Sequence, residues 1–343
     1  MRVVYLLNGA ALYGGVKVVL QHARALRREG VDATVVSPDP PPQWFPELGA
    51  GYRRVESLDP AVIGAADVAV GTIWFTVPSA LCVPGAVACH LCQCYEAQYH
   101  GVADLAPQVD DVYRLRTFKL AVSPHLVELL RSRFGMEAAY VPQPFEPDLF
   151  HPPRAEREPD GRLRLLLAGQ WELDIKGVEW GMRALRPLQE EGWLQLVRLS
   201  QDAPPAETAF WPEAERHVSV PPSSVPDIFR GVDAYVGLSS EVEGFGLPML
   251  EAMGCARACV LTDIGAVRAL DPERSASLRV SYGDAETLRA AVRRLRDDAA
   301  LRRVLGSAGR SIALRFGEER TARALIEAFS QALSARAPAS LSG

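Results

Sequence analysis

The chain has 343 residues, 48% of them hydrophobic and 23% charged, with a formal net charge of −5. That length exceeds one ordinary core and reads as two domains, and the charge balance gives no support for a nucleic-acid partner. No apolar run approaches the roughly 20 residues of a membrane-spanning helix, so the composition points to a cytoplasmic globular protein.

Met1-Arg2 leads straight into Val3-Val4-Tyr5-Leu6-Leu7, which runs into a glycine loop, not a cleavage site, and so reads as a first strand and not a signal peptide. Residues 8–15 form the loop, 16–29 an amphipathic helix closed by Gly30, and 31–36 a second strand. This βαβ opening predicts a parallel sheet of Rossmann type. The loop lacks G-x-G-x-x-G spacing, so a dinucleotide is weakly supported. Gly14-Gly15 ahead of a helix still makes an anion-friendly turn, the alternative being a plain strand-to-helix connection. A proline-rich loop follows at 38–46, then strands at 67–72 and 86–91. Ser123-Pro124-His125 opens a helix over 126–134 capped by Gly135, and the polar, proline-bearing segment 147–161 reads as a linker. The domains are thus expected at 1–150 and 151–316, with a last helix over 317–336 and a small polar tail at 337–343.

The second half restarts the pattern. Residues 162–169 read as a buried strand, Asp174-Ile175-Lys176-Gly177 precedes a helix to about 191, and strands follow at 193–199 and 218–220. A loop over 221–226, a short helix over 223–231 and the apolar run 234–238 lead to Ser240-Glu241-Val242-Glu243-Gly244-Phe245-Gly246-Leu247-Pro248-Met249-Leu250-Glu251-Ala252-Met253-Gly254. Gly244 and Gly246 allow a tight turn, Pro248 suits the first position of a helix and Gly254 its end. The segment reads as strand, glycine loop, helix, whose opening amides favour a phosphate. Glu251 falls in the first turn, and Glu243 on the loop at the carboxyl end of the strand, where open α/β sheets bind ligands. A strand at 258–262, another at 278–280 and helices at 285–297, 299–316 and 318–335 complete the chain.

Glu243 and Glu251, with seven residues between them and Gly-Phe-Gly-Leu-Pro inside that interval, resemble the E-x7-E signature of family 4 glycosyltransferases, which are retaining and use nucleotide sugars. The resemblance implies an α/β chain of glycosyltransferase B (GT-B) type: two Rossmann-like domains facing an interdomain cleft, the last helix crossing back onto the N-terminal domain. It implies a nucleotide-diphosphate sugar as donor, uridine and thymidine diphosphates both fitting, and no cofactor or bound metal. The acceptor is a glycan, a lipid-linked glycan or a small molecule. Lys176 and the amides around Gly244, Phe245, Gly246 and Leu247 meet the phosphates, Glu243 is the catalytic candidate facing the donor sugar, and Glu251 holds the ribose. Gly14, Gly15, His90 and Gln93 are candidates for lining the cleft. Gln93-Cys94-Tyr95-Glu96 is similar to a Gln-Asp-Tyr-Glu string of relatives linked to rhamnosyl transfer, with Cys94 in place of Asp. Further departures are Gln170 where an arginine is usual, and Ala258, Ala266 and Ala269 around the donor-sugar loop. They motivate the rival reading, a non-catalytic subunit that binds nucleotide or a partner transferase on a degenerate fold.

Cys89-His90-Leu91-Cys92-Gln93-Cys94 has the C-x2-C spacing of a zinc site. No second Cys/His pair follows at finger-like spacing, so free, buried thiols are expected instead. Arg289, Arg293, Arg294 and Arg296 offer peripheral contact with anionic lipid, or simply the solvated face of a helix.

Overall fold

Runs of valine, leucine and alanine without alternation are what parallel strands covered on both faces require, and they supply both sheets. The computed structural model describes residues 1–155, 157 and 160–336; Glu156, Glu158 and Pro159 of the expected linker and the expected tail 337–343 lie outside the described residues. The chain divides into two units, Met1–Pro144 with the last helix, and Phe145–Arg315.

In the first unit β1 (Arg2–Leu6), β2 (Asp32–Ser37), β3 (Tyr52–Arg54), β4 (Val68–Gly71), β5 (Val87–Cys92), β6 (Phe118–Ala121) and β7 (Ala138–Tyr140) form one sheet in the order β3-β2-β1-β4-β5-β6-β7. Every pairing is parallel. The helices are α1 (Gly14–Arg28), α2 (Pro60–Ile63), α3 (Val77–Leu81), α4 (Ala106–Tyr113) and α5 (Pro124–Phe134). In the second unit β8 (Leu163–Ala168), β9 (Leu194–Ser200), β10 (Glu215–Val218), β11 (Ala234–Gly237), β12 (Ala258–Thr262) and β13 (Ser277–Val280) run in the order β10-β9-β8-β11-β12-β13, again all parallel. Its helices are α6 (Val178–Glu190), α7 (Pro205–Phe210), α8 (Val225–Arg230), α9 (Leu247–Gly254), α10 (Gly265–Leu270), α11 (Ala285–Asp297) and α12 (Ala299–Ala313). The sheet and α6 bury Leu165, Leu167, Val236, Val260, Met182 and Leu185 in one cluster.

The last helix, α13 (Glu318–Arg336), belongs to the first unit. It buries Ala322, Leu325, Ala328 and Phe329. Thr321 donates from its hydroxyl to the Pro142 carbonyl at 3.0 Å, and Glu318 pairs with Arg24 and Arg28 of α1.

Some boundaries differ from the sequence expectation. α1 starts at Gly14, two residues early, and α12 ends at Ala313. The strand expected at 218–220 lies at Glu215–Val218, because Ser219 takes a left-handed backbone (φ 49°) that ends the extended run. Among the described residues, no helix is long and apolar enough to cross a membrane.

Candidate donor-binding site

The order of the second sheet reverses between β8 and β11, and the loops leaving the carboxyl ends of these strands converge there. After β8 the chain turns at Gly169 (φ 127°) and reaches a one-turn 3-10 helix, Asp174–Lys176, that ends in Gly177 (φ 60°). A Cβ on Gly177 would stand 2.1 Å from the Leu238 carbonyl oxygen, so only glycine fits both the left-handed backbone and the close approach. Beside it the Ser240 amide donates to the Ile175 carbonyl at 2.8 Å. These two contacts fix the lysine loop against the loop after β11.

The result is an ion pair. Lys176 Nζ lies 2.5 Å from Glu243 Oε2, and the Ser239 hydroxyl donates to the same oxygen at 2.9 Å. The Glu243 side chain is 12% exposed and that of Lys176 26%, so ligand can still reach both. Burial pushes the Glu243 carboxyl up, but the Lys176 ammonium, the Ser239 hydroxyl and the Phe245 amide outweigh it and hold the group below the usual carboxylate range. Glu243 is an anion at neutral pH.

Gly244 and Phe245 are buried, and Gly246 (φ 87°) caps α9 without any side-chain hydrogen bond to the helix start. In this opening turn Pro248 has no N–H and the Met249 amide donates to the Gly246 carbonyl at 3.0 Å, so among the described residues the Leu247 amide is the one left to meet an anion. Because the helix begins at Leu247, Glu251 sits one position past the first turn, where the sequence had placed it one turn-position earlier. Both carboxylates bear on the buried Tyr235 of β11: burial first, then Cys259, Glu243 and Glu251 push its phenol well above the ordinary value. Lys176, Glu243, Glu251 and the turn Gly244–Leu247 thus share one end of one sheet.

In the first unit Gly14 and Gly15 open α1, and a Cβ on Gly15 would lie 3.2 Å from Gln93 Nε2 at the end of β5. Gln93 in turn donates to the Thr72 carbonyl at 3.5 Å. These three residues meet at the corresponding end of the first sheet. His90 does not join them, which corrects its place among the cleft candidates. It is 0% exposed, neither ring nitrogen has a hydrogen-bond partner, and it packs edge-on against Tyr113 at 4.7 Å. Burial, with Lys119 nearby, holds its pKa well below the ordinary value, so it is a neutral core residue. Cys89 and Cys92 are buried, and burial pushes the Cys89 thiol up to about 12. Among the described residues no group of three or more His, Cys, Asp and Glu side chains is placed to hold a metal ion.

The sequence reading missed Ser239, and it missed a buried pair beneath the lysine loop. Arg198 in β9 and Glu207 in α7 are both 0% exposed, with Nε 2.9 Å from Oε1. The signal was there: an arginine between Val197 and Leu199 inside a buried strand needs a partner.

Residues 162–298 match the family model described as Glycosyl transferases group 1. The chain is similar to the O-antigen biosynthesis protein RfbC of Myxococcus xanthus, 26% identical over 197 residues that make up 52% of this chain and 15% of that protein. It is similar also to D-inositol 3-phosphate glycosyltransferase of Frankia alni, 29% identical over 261 residues, 73% of this chain and 58% of that one. It therefore spans less than two thirds of the length of either relative. Among solved structures, sucrose-phosphate synthase from Thermosynechococcus elongatus superposes with a TM-score of 0.81 at 17% identity, over 98% of this chain and 100% of that one. Anabaena HepE in complex with UDP-glucose gives 0.78 at 12% identity, over 96% and 100%. The stretch that matches this model lies within the second unit, and the fold is the GT-B fold seen in these solved structures.

Proposed function

We propose that the protein is a glycosyltransferase that moves a sugar from a nucleoside-diphosphate donor to an acceptor, with retention at the anomeric carbon and without a bound divalent metal. The observation that carries the reading is the Lys176–Glu243 pair at the sheet's switch point, beside the Leu247 amide that opens α9. A cation and a fixed backbone amide stabilise the charge that grows on a leaving diphosphate as the anomeric bond breaks. In this reading the donor phosphates take Lys176 over, and the freed Glu243 carboxylate binds sugar hydroxyls or shields the developing positive charge on the ring. Glu251 holds the ribose. A neighbour of the same fold with UDP-glucose bound supports a donor of this class. Similarity to an O-antigen biosynthesis protein supports a glycan or lipid-linked acceptor, with Gly14, Gly15 and Gln93 on the acceptor side.

Thermal unfolding of the purified chain with a panel of nucleoside diphosphates tests the reading. A ligand bound only by the folded state stabilises it by about 2.7 kcal/mol at a hundredfold excess over Kd. One diphosphate is expected to raise Tm in EDTA, with the shift lost in Lys176→Ala and Glu251→Ala. No shift with any nucleotide would overturn the proposal and favour a non-catalytic subunit.

A further inference from the structure

We infer that Arg198 is a positioning residue for phosphate binding: by holding the Gly169 carbonyl, it turns the Gln170 backbone N–H toward the Lys176 and Glu243 loops as an anion donor. The inference rests on the donor site proposed above.

Gly169 has both backbone groups engaged on the β9 side. Its amide donates to the Leu199 carbonyl at 2.9 Å, and its carbonyl accepts from Arg198 Nη2 at 2.7 Å. No described peptide bond is cis, and a trans peptide sets its C=O and the following N–H on opposite sides. The Gln170 N–H therefore points away from Arg198 and, on this inference, toward Lys176, Ser239 and Glu243. Gln170 is half-buried, and among the described residues no hydrogen bond engages its amide. A sheltered backbone donor without a partner is uncommon in a folded chain, and it suits an anion. It also stands at the position where the family resemblance leads one to expect an arginine side chain.

Arg198 is built for this orientation. Its Nε and Nη2 donate to the two oxygens of Glu207 at 2.9 and 3.3 Å, and Nη1 donates to the Leu167 carbonyl. The planar fork is thus held on three groups, and lysine cannot reproduce that. Gly169 completes the device: at φ 127°, a Cβ there would lie 3.1 Å from Lys176 Cβ. One turn therefore aims the amide and seats the lysine stem.

The test uses the full chain with inorganic pyrophosphate, UDP and uridine as probes in calorimetric titrations. Arg198→Lys is expected to stay folded by circular dichroism and to lose about tenfold in affinity for pyrophosphate and UDP alike, with uridine binding unchanged. A general loosening of the unit would weaken all three. Gln170→Pro removes the same N–H without touching Arg198 and is expected to give the same pattern. In the wild-type chain the Gln170 amide resonance should move when pyrophosphate saturates the site, which keeps the test decisive if Arg198→Lys does not fold. A folded Arg198→Lys that binds pyrophosphate like wild type, or a Gln170 resonance that stays put at saturation, overturns the inference. A wild-type chain that binds neither pyrophosphate nor UDP overturns the donor site itself, which is a separate result.

Discussion

Gly177→Ala tests whether the lysine loop is held as rigidly as its geometry implies. The new methyl carbon would stand 2.1 Å from the Leu238 carbonyl oxygen and 3.0 Å from its carbon, both backbone atoms at the end of β11. No side chain can swing aside to relieve the overlap. A left-handed backbone costs a non-glycine residue about 1–2 kcal/mol, and overpacking adds about 1–3 kcal/mol. For a unit of this size each kcal/mol lowers Tm by about 2–4 °C, so the second unit should melt roughly 4–20 °C lower. Gly192→Ala is the control: Gly192 is also left-handed (φ 84°), but nothing lies within 4 Å of its would-be Cβ. It should cost only the backbone part, about 1–2 kcal/mol, and leave UDP affinity intact. In Gly177→Ala that affinity should fall, because the displaced residue adjoins Lys176. Thermal melts and calorimetric titration of both variants decide the matter. Equal costs and equal affinities would refute the rigid-loop reasoning.

Lys176→Ala removes the cation that keeps Glu243 charged. The Glu243 pKa lies below that of an unfolded chain, so the pair's stabilisation is present above the ordinary carboxylate range and lost as pH falls through the folded value. The Tm difference between wild type and variant should therefore be larger at neutral pH than in mild acid. Glu207→Ala leaves Arg198 as an unpaired buried charge and should cost about 3–5 kcal/mol in urea denaturation, whereas Arg198→Met with Glu207→Leu should recover most of it. His22, fully buried, has its pKa lowered by burial to about 3, and His90 is also well below the ordinary value. Between about pH 6.5 and 3 the unfolded chain takes up protons the folded one refuses, which costs up to about 1.4 kcal/mol per pH unit for each histidine. The stability present above that window is lost as pH falls through it, and replacing both histidines by leucine should flatten the acid limb of a Tm–pH curve.

The residues of the loops after β8 and β11 were legible because chain order and chemistry coincide there: a glycine turn, a proline at the helix start and two glutamates sit in one uninterrupted string. Lys176 was legible for the same reason, as a cation just before a helix in a second strand–loop–helix unit. Ser239 was not, since its value comes from the hydroxyl meeting Glu243, a contact set by tertiary geometry. Arg198 and Glu207 belong to different elements, and neither has a neighbour in sequence that announces the other. His90 was misplaced because β5 is covered on both faces, so alternation along the strand says nothing about which side chains reach the surface. The short elements β3, α2 and α3 escaped because three to five residues carry too little periodicity to register.

The place of α13 has a consequence for how the protein is made. Its buried face, Ala322, Leu325, Ala328 and Phe329, completes a unit whose other residues end at Pro144. Residues 145–315 are contiguous and can close on themselves while the ribosome is still working. The first unit emerges earlier yet must wait for its final helix, a gap of about 10–40 s at ordinary elongation rates. During that interval the surface α13 will cover is open to solvent and to chaperones. A stop codon placed just before residue 318 should therefore be more harmful to residues 1–144 than to residues 145–315.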